Sequence, residues 1–197
     1  MGAEVALAAW RRGARVTLVC GPVSAPYVPQ GPKVVHVEST EEMAHAVRAA
    51  LPDADALVMA AAPADFRPAT IAGDKIKKST RPDAIALEPT PDILVTTRDA
   101  RKPGAVIVGF ALETRDAIGY GRSKLAAKGL DLVVVNDATE AGAGFGVDTN
   151  RVTLVTTDGD EALPLMPKRE VADAILDRVE ALLLTRARDG QLAGAHP

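Results

Sequence analysis

Three turns and two groups of lysines carry the residue types in this sequence that suit chemistry on an anionic ligand. The first turn, Ala62-Pro63-Ala64-Asp65-Phe66, follows the apolar run Ala56–Ala61. Its small residues let backbone approach a ligand closely, and Asp65 brings a carboxylate to the same edge. The second, Gly109-Phe110-Ala111-Leu112-Glu113-Thr114, follows Ala105–Val108 and offers a ring and an acid on a tight turn. The third is Asn136-Asp137, after Leu132–Val135. Helix N-capping also places Asp, Asn and Thr after strands, so it competes with a binding role at each turn. Among the cations, Lys75-Ile76-Lys77-Lys78 has extended character, which puts Lys75 and Lys77 on one side. Lysines of that kind also guard strand edges against pairing with other chains. Lys124 and Lys128 stand four residues apart on one helix face. Like charges so spaced repel by about 0.2–0.5 kcal/mol. A bound anion, an electron-rich ring edge or plain solvent offsets that cost.

Several familiar chemistries are missing from the sequence. It holds no GxGxxG fingerprint and no GxxxxGK[ST] loop. It also lacks a GxSxG elbow and a Ser–His–Asp order. His36, His45 and His196 are scattered without metal-ligand spacing, and the single Cys20 excludes both an internal disulfide and a cysteine-rich zinc site. Cys20 ends a β-branched run and reads as a buried structural thiol.

The elements that must position these groups alternate along the chain. Strands are expected at Val16–Cys20, Val34–Val37, Ala56–Ala61, Ala105–Val108, Leu132–Val135 and Val152–Val155. Most are continuous apolar runs, the pattern of strands covered on both faces. Helical period separates them. Ser39-x-x-Glu42 forms a capping box before Met43, Ala46, Val47, Ala50 and Leu51. A last long helix from about Arg169 turns Val171, Ala174, Ile175, Val179, Leu182 and Leu183 inward. The fold class is therefore α/β: a Rossmann-like, mainly parallel sheet with helices on both faces. One domain over residues 1–185 is expected, followed by a frayed tail over 186–197, where the apolar period is lost. The start is unusual, because Ala3–Arg12 reads as a helix closed by Gly13 and only Met1-Gly2 precedes it. In a doubly wound fold a strand and a glycine-rich turn come before such a helix. An N-terminally truncated version of that fold is expected.

Composition narrows the partners. The chain has 197 residues, 47 % hydrophobic and 25 % charged, with 23 basic and 26 acidic side chains and a net charge of −3. No broad positive footprint exists for polymeric nucleic acid. One Trp, two Tyr and three Phe are too few for a base-stacking platform. No apolar stretch approaches the ~20 residues of a membrane span, and no signal peptide is visible. The cytoplasm is the expected compartment.

Taken in order, a series of segments resembles phosphopantothenate–cysteine ligase, the synthetase half of the bacterial bifunctional coenzyme A biosynthesis protein. They are Arg12-Gly13-Ala14-x-Val16-Thr17-Leu18 with Gly21-Pro22-Val23; Ala60-Ala61-Ala62-Pro63-Ala64-Asp65-Phe66-Arg67-Pro68; Lys75-Ile76-Lys77-Lys78; and Pro91-Asp92-Ile93-Leu94. Further on come Val108-Gly109-Phe110-Ala111-Leu112-Glu113-Thr114; Lys124-Leu125-x-x-Lys128-Gly129-Leu130-Asp131-Leu132; Asn136-Asp137; and Gly144-Phe145-x-x-Asp148-x-Asn150. The resemblance implies activation of the 4′-phosphopantothenate carboxylate by CTP, with release of pyrophosphate, and then attack of the cysteine amine on the acyl-cytidylate. It implies Lys75 as the catalytic lysine on the triphosphate and backbone of Met59, Ala60 and Ala61 against the nucleotide. Asp65 falls beside the nucleotide and its Mg²⁺. Thr90, Pro91, Asp92 and Ile93 form a nucleotide-contacting loop, and Phe110, Lys124 and Lys128 complete the pocket. A homodimer is implied, and the Lys75–Lys78 segment resembles a flap over the acyl substrate.

The sequence departs from that family in three ways. The opening strand and its Asn/Ser/Gly-rich turn are absent. Pro63 stands where valine is common, which removes one backbone donor beside the nucleotide. The flavin-dependent decarboxylase half is missing, so no FMN is expected. Two other functions compete: a catalytically idle nucleotide-binding module derived from the ligase, and a nicotinamide-dependent oxidoreductase, against which the missing glycine fingerprint weighs.

Overall fold

The structure is a computed structural model that describes residues 1–23, 28–70, 72–74, 84–113, 116–137, 142 and 146–193. In chain order its elements are α1 (Gly2–Arg11), β1 (Thr17–Cys20), β2 (Lys33–His36), α2 (Thr40–Ala50), β3 (Ala56–Met59), β4 (Phe66–Pro68), β5 (Leu87–Pro89), α3 (Ile93–Thr96) and β6 (Val106–Glu113). Then come α4 (Ala117–Lys128), β7 (Leu132–Asp137), β8 (Thr149–Asn150), β9 (Val152–Val155), β10 (Asp160–Ala162), β11 (Met166–Pro167) and α5 (Lys168–Ala193).

The main sheet runs β10-β9-β7-β6-β3. β3, β6 and β7 are parallel, while β9 and β10 close one edge antiparallel. The continuous apolar runs are explained by burial on both sides. Val106, Val108, Leu132 and Val134 face a cluster with Val5, Val171, Ile175 and Val179 of α1 and α5. Ile107, Val133 and Val135 face the opposite cluster with Met43, Val47 and Leu125 of α2 and α4. Helices thus cover both faces, as the strand pattern implies.

β1 and β2 form a separate parallel pair in the register Val19↔Val35. Val19, Val35 and Leu57 of β3 pack on the same α2 cluster. Among the described residues, β1 pairs only with β2 and β3 only with β6. The two sheets therefore share a helical layer without sharing a hydrogen-bonded edge.

Two expectations need correction. The helix α5 does not end near Arg186 but continues to Ala193. Loss of apolar period there marks the end of burial, not of helical backbone. Arg186 holds that turn against the sheet, donating to Gly104 O at 3.2 Å and pairing with Asp131. Asp131 in turn accepts the Ile107 N–H at 2.7 Å. Cys20 is half-buried rather than enclosed, because it ends a strand paired on one side.

Candidate functional site

A cleft of about 470 Å³ opens at the carboxyl ends of β3, β6 and β7, where open α/β sheets bind ligands. The segment after β3 supplies Met59, Ala60, Ala61 and Asp65 to its wall. The turn leading into α3 supplies Thr90, Pro91, Asp92 and Ile93, and Phe110 comes from β6. Lys124 and Lys128 reach it from α4. Every described residue that the sequence comparison places at the nucleotide therefore lines one concavity. Lys75 and the rest of 75–83 lie outside the described residues, as do Thr114 and the Gly144-Phe145 pair.

Local bonds tie these segments together. The Thr90 N–H donates to Asp65 O at 2.9 Å, and the Thr90 hydroxyl donates to Ala64 O. The acidic turn and the Thr90–Ile93 loop are thus one unit. Its flank, the β4–β5 hairpin, is held by Arg67, which donates to Glu88 at 2.7 Å and pairs with Glu41 of α2.

Asp92 caps α3, accepting the Val95 N–H at 3.2 Å. It also pairs with Lys128 Nζ at 2.6 Å. Burial works against the Asp92 charge, but the Lys128 ammonium and the backbone N–H groups of Val95 and Leu94 outweigh it and hold the carboxyl below its ordinary value of 3.8. Lys124 Nζ donates to Phe110 O. The two α4 lysines do not simply face solvent; each grips a different wall of the cleft.

Sequence reasoning assigns no ligand contact to Asn150 or Lys168 and offers Asn136 only as a polar residue after a strand; all three line the cleft. Asn136 ends β7, Asn150 lies beneath it on β8, and Lys168 opens α5. Asn150 is fully buried, and its Nδ2 donates to Asn136 Oδ1 at 3.2 Å. Both asparagines belong to segments quoted above, but only the pairing of β7, β8 and β9 brings them together. Lys168 has no distinguishing signal in the sequence.

A second, more open concavity of about 480 Å³ lies at the other end of the strands, around Arg101, Lys102, Asp131 and Arg186. Its cations already have partners. Lys102 pairs with Asp55 at 2.6 Å, Arg186 pairs with Asp131, and Arg101 donates to Leu94 O and Gly129 O at 2.6 and 2.9 Å. Chemistry on an anion therefore points to the carboxyl edge. Among the described residues no three His, Cys, Asp or Glu side chains gather as a metal cage. A cleft carboxylate such as Asp65 fits Mg²⁺, which is commonly held by one or two carboxylates together with substrate phosphates. No helix among the described residues is long and apolar enough to cross a membrane.

Fold and cleft together define an α/β protein of the doubly wound class with a cleft at the carboxyl ends of its parallel strands. The chain belongs to the family described as the DNA/pantothenate metabolism flavoprotein C-terminal domain, whose profile matches residues 1–183. It is 42 % identical over 183 residues to the coenzyme A biosynthesis bifunctional protein CoaBC of Bacillus subtilis (strain 168), covering 92 % of this chain and 45 % of that protein. It is 45 % identical over 193 residues to CoaBC of Mycobacterium tuberculosis (strain ATCC 25618 / H37Rv), covering 92 % and 46 %. The chain thus spans about half the length of the curated relatives it matches. Among solved structures, the C-terminal domain of a CoaBC superposes with a TM-score of 0.77 at 34 % identity, covering 93 % of this chain and 82 % of that one. A Cab2 variant in complex with phosphopantothenate-cysteine shares the fold, with a TM-score of 0.73 at 16 % identity, covering 96 % of this chain and 79 % of the other.

Proposed function

We propose that this chain joins 4′-phosphopantothenate to L-cysteine at the expense of CTP, through an acyl-cytidylate. The observation that carries the proposal is the convergence of Asp65, Asp92, Phe110, Lys124 and Lys128 on one cleft at the sheet edge. In the first step a carboxylate oxygen of the acyl substrate attacks the α-phosphorus of CTP and pyrophosphate leaves. In the second the cysteine amine attacks the activated carbonyl, loses a proton and expels CMP. Neither step needs a protein nucleophile. Both need anions aligned and a leaving group stabilised.

Lys124 and Lys128 would supply positive charge to the phosphates. Lys128 is poised for this by its pairing with Asp92, which keeps the ammonium at the cleft wall. Backbone of Met59–Ala61 approaches the nucleotide, since alanines leave the main chain uncovered. Asp65 would hold Mg²⁺ together with phosphate oxygens, and the ion when bound would neutralise charge on the pyrophosphate. Lys75 takes the catalytic place at the triphosphate by resemblance, and a homodimer is proposed on the same ground.

The test is calorimetric titration of CTP with Mg²⁺, followed by a pyrophosphate-release assay with 4′-phosphopantothenate. Tight CTP binding and substrate-dependent release are expected. Lys75→Gln should lower the release rate at least tenfold while CTP still binds; an unchanged rate would remove Lys75 from its role. CTP binding without release in the unaltered protein would instead mark the idle nucleotide-binding module.

A further inference from the structure

The last turn of α4, which brings Lys128 to the cleft, is held by side chains as well as by backbone. Gly129, in the left-handed region at φ 57°, turns the chain out of the helix. That turn lets the N–H groups of Gly129 and Leu130 bond the carbonyls of Ala126 and Leu125. The next three carbonyls are taken by two arginines from the segment after α3. Arg98 donates to Ala127 O at 3.0 Å, and Arg101 donates to Lys128 O at 3.4 Å and to Gly129 O at 2.9 Å. Positive charge suits the carbonyl end of a helix. Arg101 does more than cap, because its Nη2 also donates to Leu94 O of α3 at 2.6 Å. One guanidinium thus bridges α3, which Asp92 caps, and α4, which Lys128 ends.

Three observations set this bridge apart from ordinary surface bonding. First, Arg101 Nε is buried without a hydrogen-bond partner among the described residues, and the acceptors of its guanidinium are backbone carbonyls. Burial and then the charge of Arg98 push that guanidinium below the usual arginine value, against the pull of Asp131. A cation so placed is costly unless its bonds do what an apolar side chain could not. Second, α3 and the end of α4 meet over one residue of the sheet. A Cβ added at Gly109 of β6 would fall 2.7 Å from Leu130 Cδ1 and 3.7 Å from Leu94 Cδ1. Third, Asp92 and Lys128 are 41 % and 28 % exposed in their side chains. An ion pair so open to solvent is too weak to fix the spacing of two elements by itself. The arginine segment is in turn pinned to α2, where Arg48 donates to Thr96 O at 2.9 Å and to Asp99 at 2.8 Å.

We infer that Arg101 is a positioning residue for the cleft: by tying Leu94 O to the last carbonyls of α4 it holds Lys128 opposite Asp92, in the place from which Lys128 reaches an anionic ligand. Arg101 itself lines the concavity at the other end of the strands, so it acts through Lys128 and not on the ligand. The identity of that ligand, a nucleoside triphosphate, rests on the ligase reading; the bridge does not. A planar guanidinium suits the task because its fork meets two walls at fixed angles, which a single ammonium cannot do.

The experiment has two readouts on the full chain, with folding checked by thermal melts. The first needs no ligand: the Asp92 carboxyl is titrated by carbon NMR in the unaltered chain and in Arg101→Met. Loss of the bridge should let Lys128 drift and move the Asp92 midpoint up by about half a pH unit, the size set by a partly exposed pair. The second is calorimetric titration of CTP–Mg²⁺. Arg101→Met should weaken binding by roughly three- to tenfold, the worth of one hydrogen bond. In a Lys128→Met background that effect should vanish, a coupling that a merely structural arginine would not produce. Arg101→Lys keeps the charge without the fork, so it should behave like Arg101→Met. Should Arg101→Met fail to fold, Arg101→Lys decides by the same two readouts. An unmoved Asp92 midpoint, an equal loss of affinity with and without Lys128, or full recovery by lysine would each overturn the inference. Failure of the unaltered chain to bind CTP–Mg²⁺ would overturn the ligase reading instead, and the Asp92 titration would still decide whether Arg101 positions Lys128.

Discussion

Asp92 and Lys128 show how a binding group can also be a structural one. Asp92 closes the first turn of α3 and pairs with Lys128, so it links the Thr90–Ile93 loop to α4 across the mouth of the cleft. Its two roles separate by substitution. Asp92→Asn keeps a good cap and loses the ion pair, whereas Asp92→Ala loses both. We expect Asp92→Ala to be the less stable of the two by about 1 kcal/mol in urea melts, the usual worth of an N-cap. The carboxyl is held below its ordinary value of 3.8 in the folded state. Its contribution is therefore complete above that pH and fades as pH falls through the lower, folded value. The stability gap between the unaltered chain and Asp92→Asn should be present at pH 6 and close in strong acid; a gap that widened toward acid would contradict the pairing. Lys128 reads from sequence as one of two lysines on a helix face. That its partner is Asp92 rather than water depends on where α3 docks.

At the scale of elements, α4 illustrates a glycine kept for space rather than for backbone freedom. Glycine within a helix ordinarily costs about 1 kcal/mol relative to alanine. A Cβ at Gly121, however, would fall 2.7 Å from Val135 Cγ2 of β7. Valine is stiff at χ1 and cannot swing aside easily. Gly121→Ala should thus destabilise by about 1–3 kcal/mol, and Gly121→Ala with Val135→Ala should recover part of that loss in denaturant titrations. A stabilising Gly121→Ala would mean that α4 sits further from the sheet. Elements differ in how plainly the sequence announces them. Leu132–Val135 and Val152–Val155 are apparent because burial on both faces demands an unbroken apolar run. β4 and β5 leave no such trace, since Phe66 and Leu87 are exposed and only their cross-strand pairing makes them strands.

At the scale of the molecule, the cleft depends on how α1 and α5 are joined. Gly2 at the start of α1 lines the cleft and packs beside the residue that follows β3, where an added Cβ would sit 3.4 Å from Ala60 Cβ. At the far end of α1, Arg12 reaches Asp173, Asp177 and Glu180 of α5 at 2.9, 2.7 and 3.0 Å. A single exposed ion pair contributes little, but three carboxylates on one guanidinium form a network. Arg12→Ala should cost about 1 kcal/mol and lower Tm by about 2–4 °C for a chain of this length, with a further drop at low salt from repulsion among the stranded acids. An unchanged Tm would show that apolar contacts such as Val5 and Ala8 against α5 hold α1 unaided.

Local pattern alone determined the order of strands and helices, their two-sided burial, and the gathering of Asp65, Phe110 and Asn136 near strand ends. These follow because periodicity and apolar runs are properties of neighbouring residues, and chain direction places whatever follows a parallel strand at one edge. The tertiary structure alone decided that Lys128 meets Asp92, that Asn150 meets Asn136, that β1 and β2 stand as their own pair, and that α5 runs on past Arg186. Each of these depends on groups far apart in the chain meeting at hydrogen-bond distance, and no spacing along the sequence carries that information.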